Sequence, residues 1–184
     1  ATFSAVENQT SIGTVTATDV DSENSSVTFT ISGSELLITS GGVLTFSSAP
    51  DYETKSSYTA IVTASDGTNS AEESITVNIT DENDNSPLIT SSATFSAAEN
   101  QTAIGTVTAT DTDSDSVAYS LSGTDSSSIG INSSSGVLTF NSAPDYETKS
   151  SYSATVTASD GMNSSNQAIT VSITDVDDVA PVFT

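Results

Sequence analysis

The 184 residues contain no cysteine, no histidine and no tryptophan, and only two basic side chains, Lys55 and Lys149, stand against 24 acidic ones. Without cysteine there are no disulfides and no thiolate metal sites. Without histidine the commonest general base and the imidazole ligand are gone. A net charge of −22 leaves no basic patch to meet nucleic-acid phosphates, and an anionic membrane surface is disfavoured for the same reason. The longest aliphatic run is Leu36–Leu37–Ile38, far too short to cross a bilayer. Low apolar content, here 34 %, combined with high net charge is also the signature of disorder. Charged residues make up only 14 %, however, and Ser and Thr carry much of the polarity. Thr is a good strand former, so the pattern decides between disorder and a Ser/Thr-rich β protein.

The pattern is a repeat. ATFSAVENQT at Ala1–Thr10 returns as ATFSAAENQT at Ala93–Thr102. SAPDYETKSSY at Ser48–Tyr58 returns at Ser142–Tyr152, and TASDG at Thr63–Gly67 returns at Thr157–Gly161. The offset grows from 92 to 94 between Ile31 and Gly136, a length change that a surface loop tolerates. Repeats this similar fit a longer array. The chain opens inside the motif, as an excised fragment would, and the closing APVFT parallels SPLIT at Ser86–Thr90, where a third copy is expected to follow.

Each copy reads as strands. Tyr58, Ala60, Val62 and Ala64 alternate with Thr59, Ile61, Thr63 and Ser65. The second copy keeps the first set but has Thr155 at the place of Ile61, so Ile61 belongs to the exposed face. Ile75, Val77 and Ile79 point inward from Glu73–Thr80, as do Ile169, Val171 and Ile173 from Ala168–Thr174. Val27, Phe29 and Ile31, Leu36 and Ile38, Leu44 and Phe46, Gly13–Thr18 and a segment around Phe3 bring the count to about seven strands. No window holds a helical period. Seven short alternating strands in about 93 residues predict an all-β fold. The expected architecture is two tandem seven-stranded Greek-key sandwiches, over residues 1–85 and 86–184.

The acids are not scattered. They stand at turns and strand ends as Glu7–Asn8, Asp19–Val20–Asp21, Asp51–Tyr52–Glu53, Asp66–Gly67 and Asp81–Glu82–Asn83–Asp84–Asn85. The second copy repeats them as Glu99–Asn100, Asp111–Thr112–Asp113, Asp145–Tyr146–Glu147, Asp160–Gly161 and Asp175–Val176–Asp177–Asp178. A merely solvated acidic surface predicts no fixed spacing. Carboxylates with Asn amides and backbone carbonyls are the ligand set of a hard cation, and Ca²⁺ accepts about 6–8 oxygens in flexible geometry. Mg²⁺ keeps more of its waters, and softer metals want N or S donors that are absent here.

The order A-x-E-N, A-T-D-x-D, D-Y-E, A-S-D-G, D-E-N-D-N-S-P resembles that of cadherin repeats along nearly the whole of both copies. The resemblance implies an immunoglobulin-like, seven-stranded Greek-key sandwich with about three Ca²⁺ at each junction between consecutive repeats. Carried over by motif, Glu7, Asp51, Glu53 and Asp84, with the Glu82 carbonyl, would serve the two ions nearer the first repeat. Asn83 by its side chain and Asn85 by its carbonyl would hold the third. Asp111, Asp113 and Asp160 complete the junction from the second repeat. One further carbonyl of the family pattern has no counterpart in the short Asp115–Ser116 loop. Asp19, Asp21 and Asp66 form a half-site that needs a preceding repeat. Glu99, Asp145, Glu147 and Asp178 form one that needs a following repeat.

The expectation is a calcium-binding spacer or adhesive module whose partners are its neighbouring repeats. The setting is an extracellular or surface array, and the Cys-free, Ser/Thr-rich composition looks bacterial. Homophilic contact is open, but not by the Trp-anchored strand swap of classical cadherins, since Trp is absent. The alternative is a calcium-dependent polysaccharide-binding module; its aromatic platform would have to come from Tyr52 or Tyr146. Enzymatic acid–base chemistry is disfavoured because metal claims the paired carboxylates.

Overall fold

The computed structural model describes residues 1–20, 26–178 and 180; Asp21 and the closing segment 181–184 lie outside them. The described residues form two compact units, Ala1–Glu82 and Asn83–Thr184, and contain no helix.

The first unit has seven strands: β1 (Thr2–Val6), β2 (Ser11–Thr14), β3 (Thr28–Ile31), β4 (Leu36–Ile38), β5 (Val43–Phe46), β6 (Ser57–Ser65) and β7 (Ser70–Thr80). One sheet runs β1-β7-β6-β3 and the other β2-β5-β4. The chain therefore leaves the first sheet after β1, returns for β3, leaves for β4 and β5 and returns for β6 and β7, as Greek-key connectivity requires. β1 is parallel to β7, with Val6 beside Thr80, whereas β6 and β7 form a hairpin that starts at Ser65 beside Ser70. The inward residues of both sheets make one core: Leu44 and Val77 are fully buried, with Leu36, Phe46, Val62 and Ile75 around them. Burying one such aliphatic side chain contributes about 1.5–3 kcal/mol. Ile61 is 45 % exposed, on the face that the comparison with Thr155 assigns to solvent.

The second unit repeats this with β9 (Thr94–Ala98), β10 (Ala103–Thr106), β12 (Ala118–Ser122), β13 (Ile129–Ile131), β14 (Val137–Phe140), β15 (Ser151–Ser159) and β16 (Ser164–Thr174). Its sheets are β12-β15-β16-β9 and β10-β14-β13. A two-residue ladder of β8 (Leu88–Ile89) with β11 (Ala109–Thr110) is additional. Val107, Val156 and Val171 are fully buried in the core.

Three differences from the sequence reading have physical causes. β7 and β16 begin earlier than the alternation indicates, because their first residues, Ser70–Ala71–Glu72 and Ser164–Ser165–Asn166, carry little apolar signal although they pair with the ends of β6 and β15. β2 ends at Thr14 rather than Thr18, where the chain instead bonds Val15 N–H to the Gly42 carbonyl. Third, strand equivalence spreads the length change over several loops: the connection before β12 is shorter than its counterpart, and those from β12 to β13 and from β13 to β14 are longer. The β12–β13 loop places Asp125 against Lys149, as Glu35 is placed against Lys55 in the first unit. Gly136 is required as glycine: its φ is +69°, and a Cβ would lie 2.1 Å from the Val107 carbonyl oxygen.

Candidate metal centre

The chain leaves β1 at Glu7, and this carboxylate is only 2 % exposed. One oxygen accepts the Tyr52 N–H at 2.8 Å and the other the Glu82 N–H at 2.8 Å. Glu7 thus ties the end of β1 to the D-Y-E turn and to the segment after β7. The following Asn8 has φ +61° and bonds its N–H to the Pro50 carbonyl. Asn is among the few non-glycine residues that tolerate this left-handed corner, which explains the Glu–Asn pairing of the motif. The second unit is built alike. Glu99, 3 % exposed, accepts the Tyr146 and Val176 N–H groups, and Asn100 has φ +62°.

Around each buried glutamate two more acids converge. Oxygens of Glu7, Glu53 and Asp81 lie within 4.8 Å of one another, as do oxygens of Glu99, Glu147 and Asp175. The Glu147 backbone N–H pulls its carboxyl down, but burial and the charges of Glu99 and Asp175 outweigh it and hold the group above its ordinary range. Asp51 and Asp145 stand outside these close groups. Each accepts the N–H and hydroxyl of the Thr three residues on, Thr54 or Thr148, and those bonds hold its carboxyl low. Both turn carboxylates are therefore oriented and charged. Asp178 accepts from the Asn100 side chain.

The second acidic group of each unit lies at the other end of the four-stranded sheet, because Asp66 and Asp160 follow the hairpin end of β6 and β15. In the second unit Asp111 accepts the N–H groups of Asp113 and Asp115 on one oxygen. Oxygens of these three aspartates lie within 4.8 Å of one another, and the intervening Ser114 has φ +67°. Asp113 accepts both the backbone and the side-chain N–H of Asn85, which also donates to Asp84. Asp160 accepts the Met162 and Asn163 N–H groups, while the Asn163 amide donates to both oxygens of Asn83. Burial pushes the Asp160 carboxyl up, but the Asn163 and Met162 N–H bonds, with the Asn83 side chain nearby, prevail and keep it below its ordinary range. In the first unit Asp19 and Asp66 line one cleft, and Asp66 accepts the Thr68 and Asn69 N–H groups.

The second oxygen of Asp111 and the second oxygen of Asp160 are buried and meet no hydrogen-bond donor. A buried carboxylate oxygen without a donor is costly, and a cation is its natural counterpart. The surrounding donors are carboxylate, amide and carbonyl oxygens throughout, so the residues present fit Ca²⁺. Asp81 and Asp175 were not among the ligands read from sequence, although each is the first acid after β7 or β16 in both copies; Asp115 was likewise passed over. Tyr52 packs against the core of the first unit, whereas its counterpart Tyr146 is 37 % exposed.

The family profile described as cadherin domain matches residues 1–80 and 93–174. The protocadherin-like wing polarity protein stan of Drosophila melanogaster is 32 % identical over 95 % of this chain, which covers 6 % of that protein. Human protocadherin Fat 4 is 36 % identical over 91 % of the chain, which covers 4 % of it. Among solved structures, mouse cadherin-23 EC22-24 matches with a TM-score of 0.84 at 26 % identity, over 96 % of this chain and 64 % of that one. Extracellular cadherin domains 3–6 of protocadherin gamma B2 match with a TM-score of 0.73 at 28 % identity, over 83 % and 42 %. The chain spans under a tenth of these two sequence relatives.

Proposed function

The chain belongs to the cadherin family, as two tandem β-sandwich repeats of the adhesion type, and on that premise we propose that it is a calcium-binding module that stiffens an extracellular array. The observation that carries the reading is the pair of buried, donorless oxygens on Asp111 and Asp160. The close carboxylate groups at the ends of Glu7 and Glu99 support it. Calcium would supply the positive charge these groups lack. In the first repeat Glu7, Asp51, Glu53 and Asp81 would take part; in the second, Asp111, Asp113, Asp115 and Asp160. Chain order adds Glu82, Asn83, Asp84 and Asn85, and the resemblance puts about three ions at such a junction. Asp19 with Asp66, and Glu99, Asp145, Glu147 and Asp178 with Asp175, would serve preceding and following repeats.

The side chains proposed as ligands would be held in place before any ion arrives. Glu7 is fixed by two backbone N–H groups, Asp51 by Thr54 and Asp160 by Met162 and Asn163. Preorganisation of this kind lowers the ordering cost of binding. Without metal the like charges repel. With metal, binding adds to folding stability, by about 2.7 kcal/mol at a hundredfold excess over Kd. The energy would do for this Cys-free chain what disulfides do for many extracellular sandwiches. The composition further supports a bacterial surface protein as host, although the two relatives above are animal proteins.

The test is calcium titration calorimetry joined to small-angle scattering with and without chelator. Saturable binding, a longer maximum dimension in calcium and slower proteolysis are expected. Unchanged scattering would sink the stiffening role, and absence of binding would sink the calcium reading itself.

A further inference from the structure

Tyr119 on β12 is buried in the core of the second unit, and its hydroxyl accepts the Ala109 N–H at 2.9 Å. The ladder of β8 with β11 explains why that N–H looks inward. In an antiparallel pair, successive residues point their backbone groups alternately toward the partner strand and away from it. Thr108 gives its carbonyl to the Thr90 N–H, and Thr110 pairs with Leu88. Ala109, between them, therefore turns its N–H away from β8. A partly buried N–H is costly to leave without an acceptor, and the Tyr119 hydroxyl supplies one. The ring is seated for this role: the Tyr119 N–H bonds the Ser133 carbonyl, and a Cβ on Gly136 would lie 3.4 Å from the ring edge. The first unit lacks the arrangement. Phe29, which pairs with Ala64 as Tyr119 pairs with Ala158, has no hydroxyl, and Ala17, the counterpart of Ala109, is exposed.

We propose that Tyr119 is a positioning residue, whose hydroxyl holds the Asp111–Asp113–Asp115 turn in the shape that receives a divalent cation; this rests on the calcium reading above. Asp111 follows Ala109 by two residues, at most about 7 Å of chain. One Asp111 oxygen is taken by the Asp113 and Asp115 N–H groups, and the other is buried and meets no donor. The backbone leading into the turn therefore sets where that second oxygen points. β8 holds this segment from one side, through a ladder of only two residue pairs. Tyr119 holds it from the other. Without the hydroxyl the Ala109 N–H turns toward water, and the segment shifts with it. The three carboxylates, whose oxygens lie within 4.8 Å of one another, then spread under their own repulsion. A spread turn has to be drawn back before it can hold an ion, and that ordering cost weakens binding. Groups that orient metal ligands from behind typically change metal affinity by about 10–100-fold when removed.

The test is Tyr119→Phe in the whole chain. Phe29 shows that a phenyl ring fills this place in the first unit, so the variant is expected to fold. Calcium is titrated while the amide signals of Asp113 and Asp115 are followed by NMR. The expected midpoint is about tenfold higher in the variant than in wild type. In chelator, the Ala109 amide of the variant exchanges about tenfold faster, measured against the Thr90 amide of the same ladder. The control is Val171→Ala, at a fully buried site on β16. It lowers the melting temperature but keeps the wild-type calcium midpoint, which separates positioning from loss of stability. Equal midpoints in wild type and Tyr119→Phe overturn the proposal and leave the calcium reading intact, as does unchanged exchange of Ala109. An equal rise of the midpoint in Val171→Ala also overturns it, by tracing the effect to general destabilisation. If calcium changes neither signal in wild type, the calcium reading falls and the proposal falls with it.

Discussion

Replacing Asp111 with Asn should stabilise the calcium-free protein and destabilise the calcium-loaded one. The oxygen that accepts the Asp113 and Asp115 N–H groups is retained as the amide oxygen, so the turn keeps its bonds. What disappears is one charge from three carboxylates whose oxygens lie within 4.8 Å. At an effective dielectric of 20, each such repulsion is about 3.5 kcal/mol. Partial exposure and salt reduce it strongly, and exposed pairs retain about 0.2–1 kcal/mol. Two relieved pairs therefore give about 1 kcal/mol, or a rise of about 4–8 °C in melting temperature for a unit of this size. In calcium the order reverses, because the variant forfeits most of the increment, about 2.7 kcal/mol at a hundredfold excess over Kd. Scanning calorimetry of both proteins in chelator and in millimolar calcium reads all four values. A variant less stable than wild type in chelator, or one that keeps the full calcium increment, would refute the reasoning.

Gly136→Ala places a Cβ 2.1 Å from the Val107 oxygen at φ +69° and should cost at least about 2 kcal/mol in urea unfolding, left-handed strain alone being about 1–2; a loss under about 0.5 kcal/mol would contradict the geometry. Lys149→Met strands Asp125, whose side chain is 11 % exposed, and should cost about 1–3 kcal/mol. Lys55→Met, whose partner Glu35 is 58 % exposed, should cost under about 1; equal losses would show that burial does not govern these pairs. The Lys149 hydrogen bond, then the Ser153 N–H, hold the Asp125 carboxyl below its ordinary 3.8. The folded value is thus depressed, so this contribution is complete above that value and is lost as pH falls through the folded one. Urea midpoints of wild type and Lys149→Met should therefore converge in acid, below about pH 4, and a constant gap down to pH 2 would contradict the linkage. Ile61→Thr, on the solvent face, should change stability by less than about 0.5 kcal/mol, and a larger loss would show that Ile61 packs against something.

Much of this was legible along the chain. Alternation placed Val77 and Ile75 inside, and the difference between two copies of one strand placed Ile61 outside. Motif order put the acids at strand ends, because a period of two leaves no outward run for a charge cluster except where strands stop. The clustering of Asp81 with Glu7 and Glu53, and of Asp175 with Glu99 and Glu147, was not legible. It depends on β1 lying parallel to β7, and β9 to β16, at one register.

Composition and repetition alone established an all-β tandem whose acids recur at fixed places and far outnumber its two lysines, since those properties follow from residue type and spacing. Only the tertiary structure decided which oxygens are buried without donors, that Lys149 and Asp125 pair through a lengthened loop, and that the Tyr119 hydroxyl meets the Ala109 N–H. Each of these is set by strand register between segments far apart in the chain. Glu7 and Glu82, for example, are 75 residues apart and joined by one hydrogen bond. Local pattern carries no information about such pairings, because a side chain's neighbours across a sheet are chosen by how whole strands align.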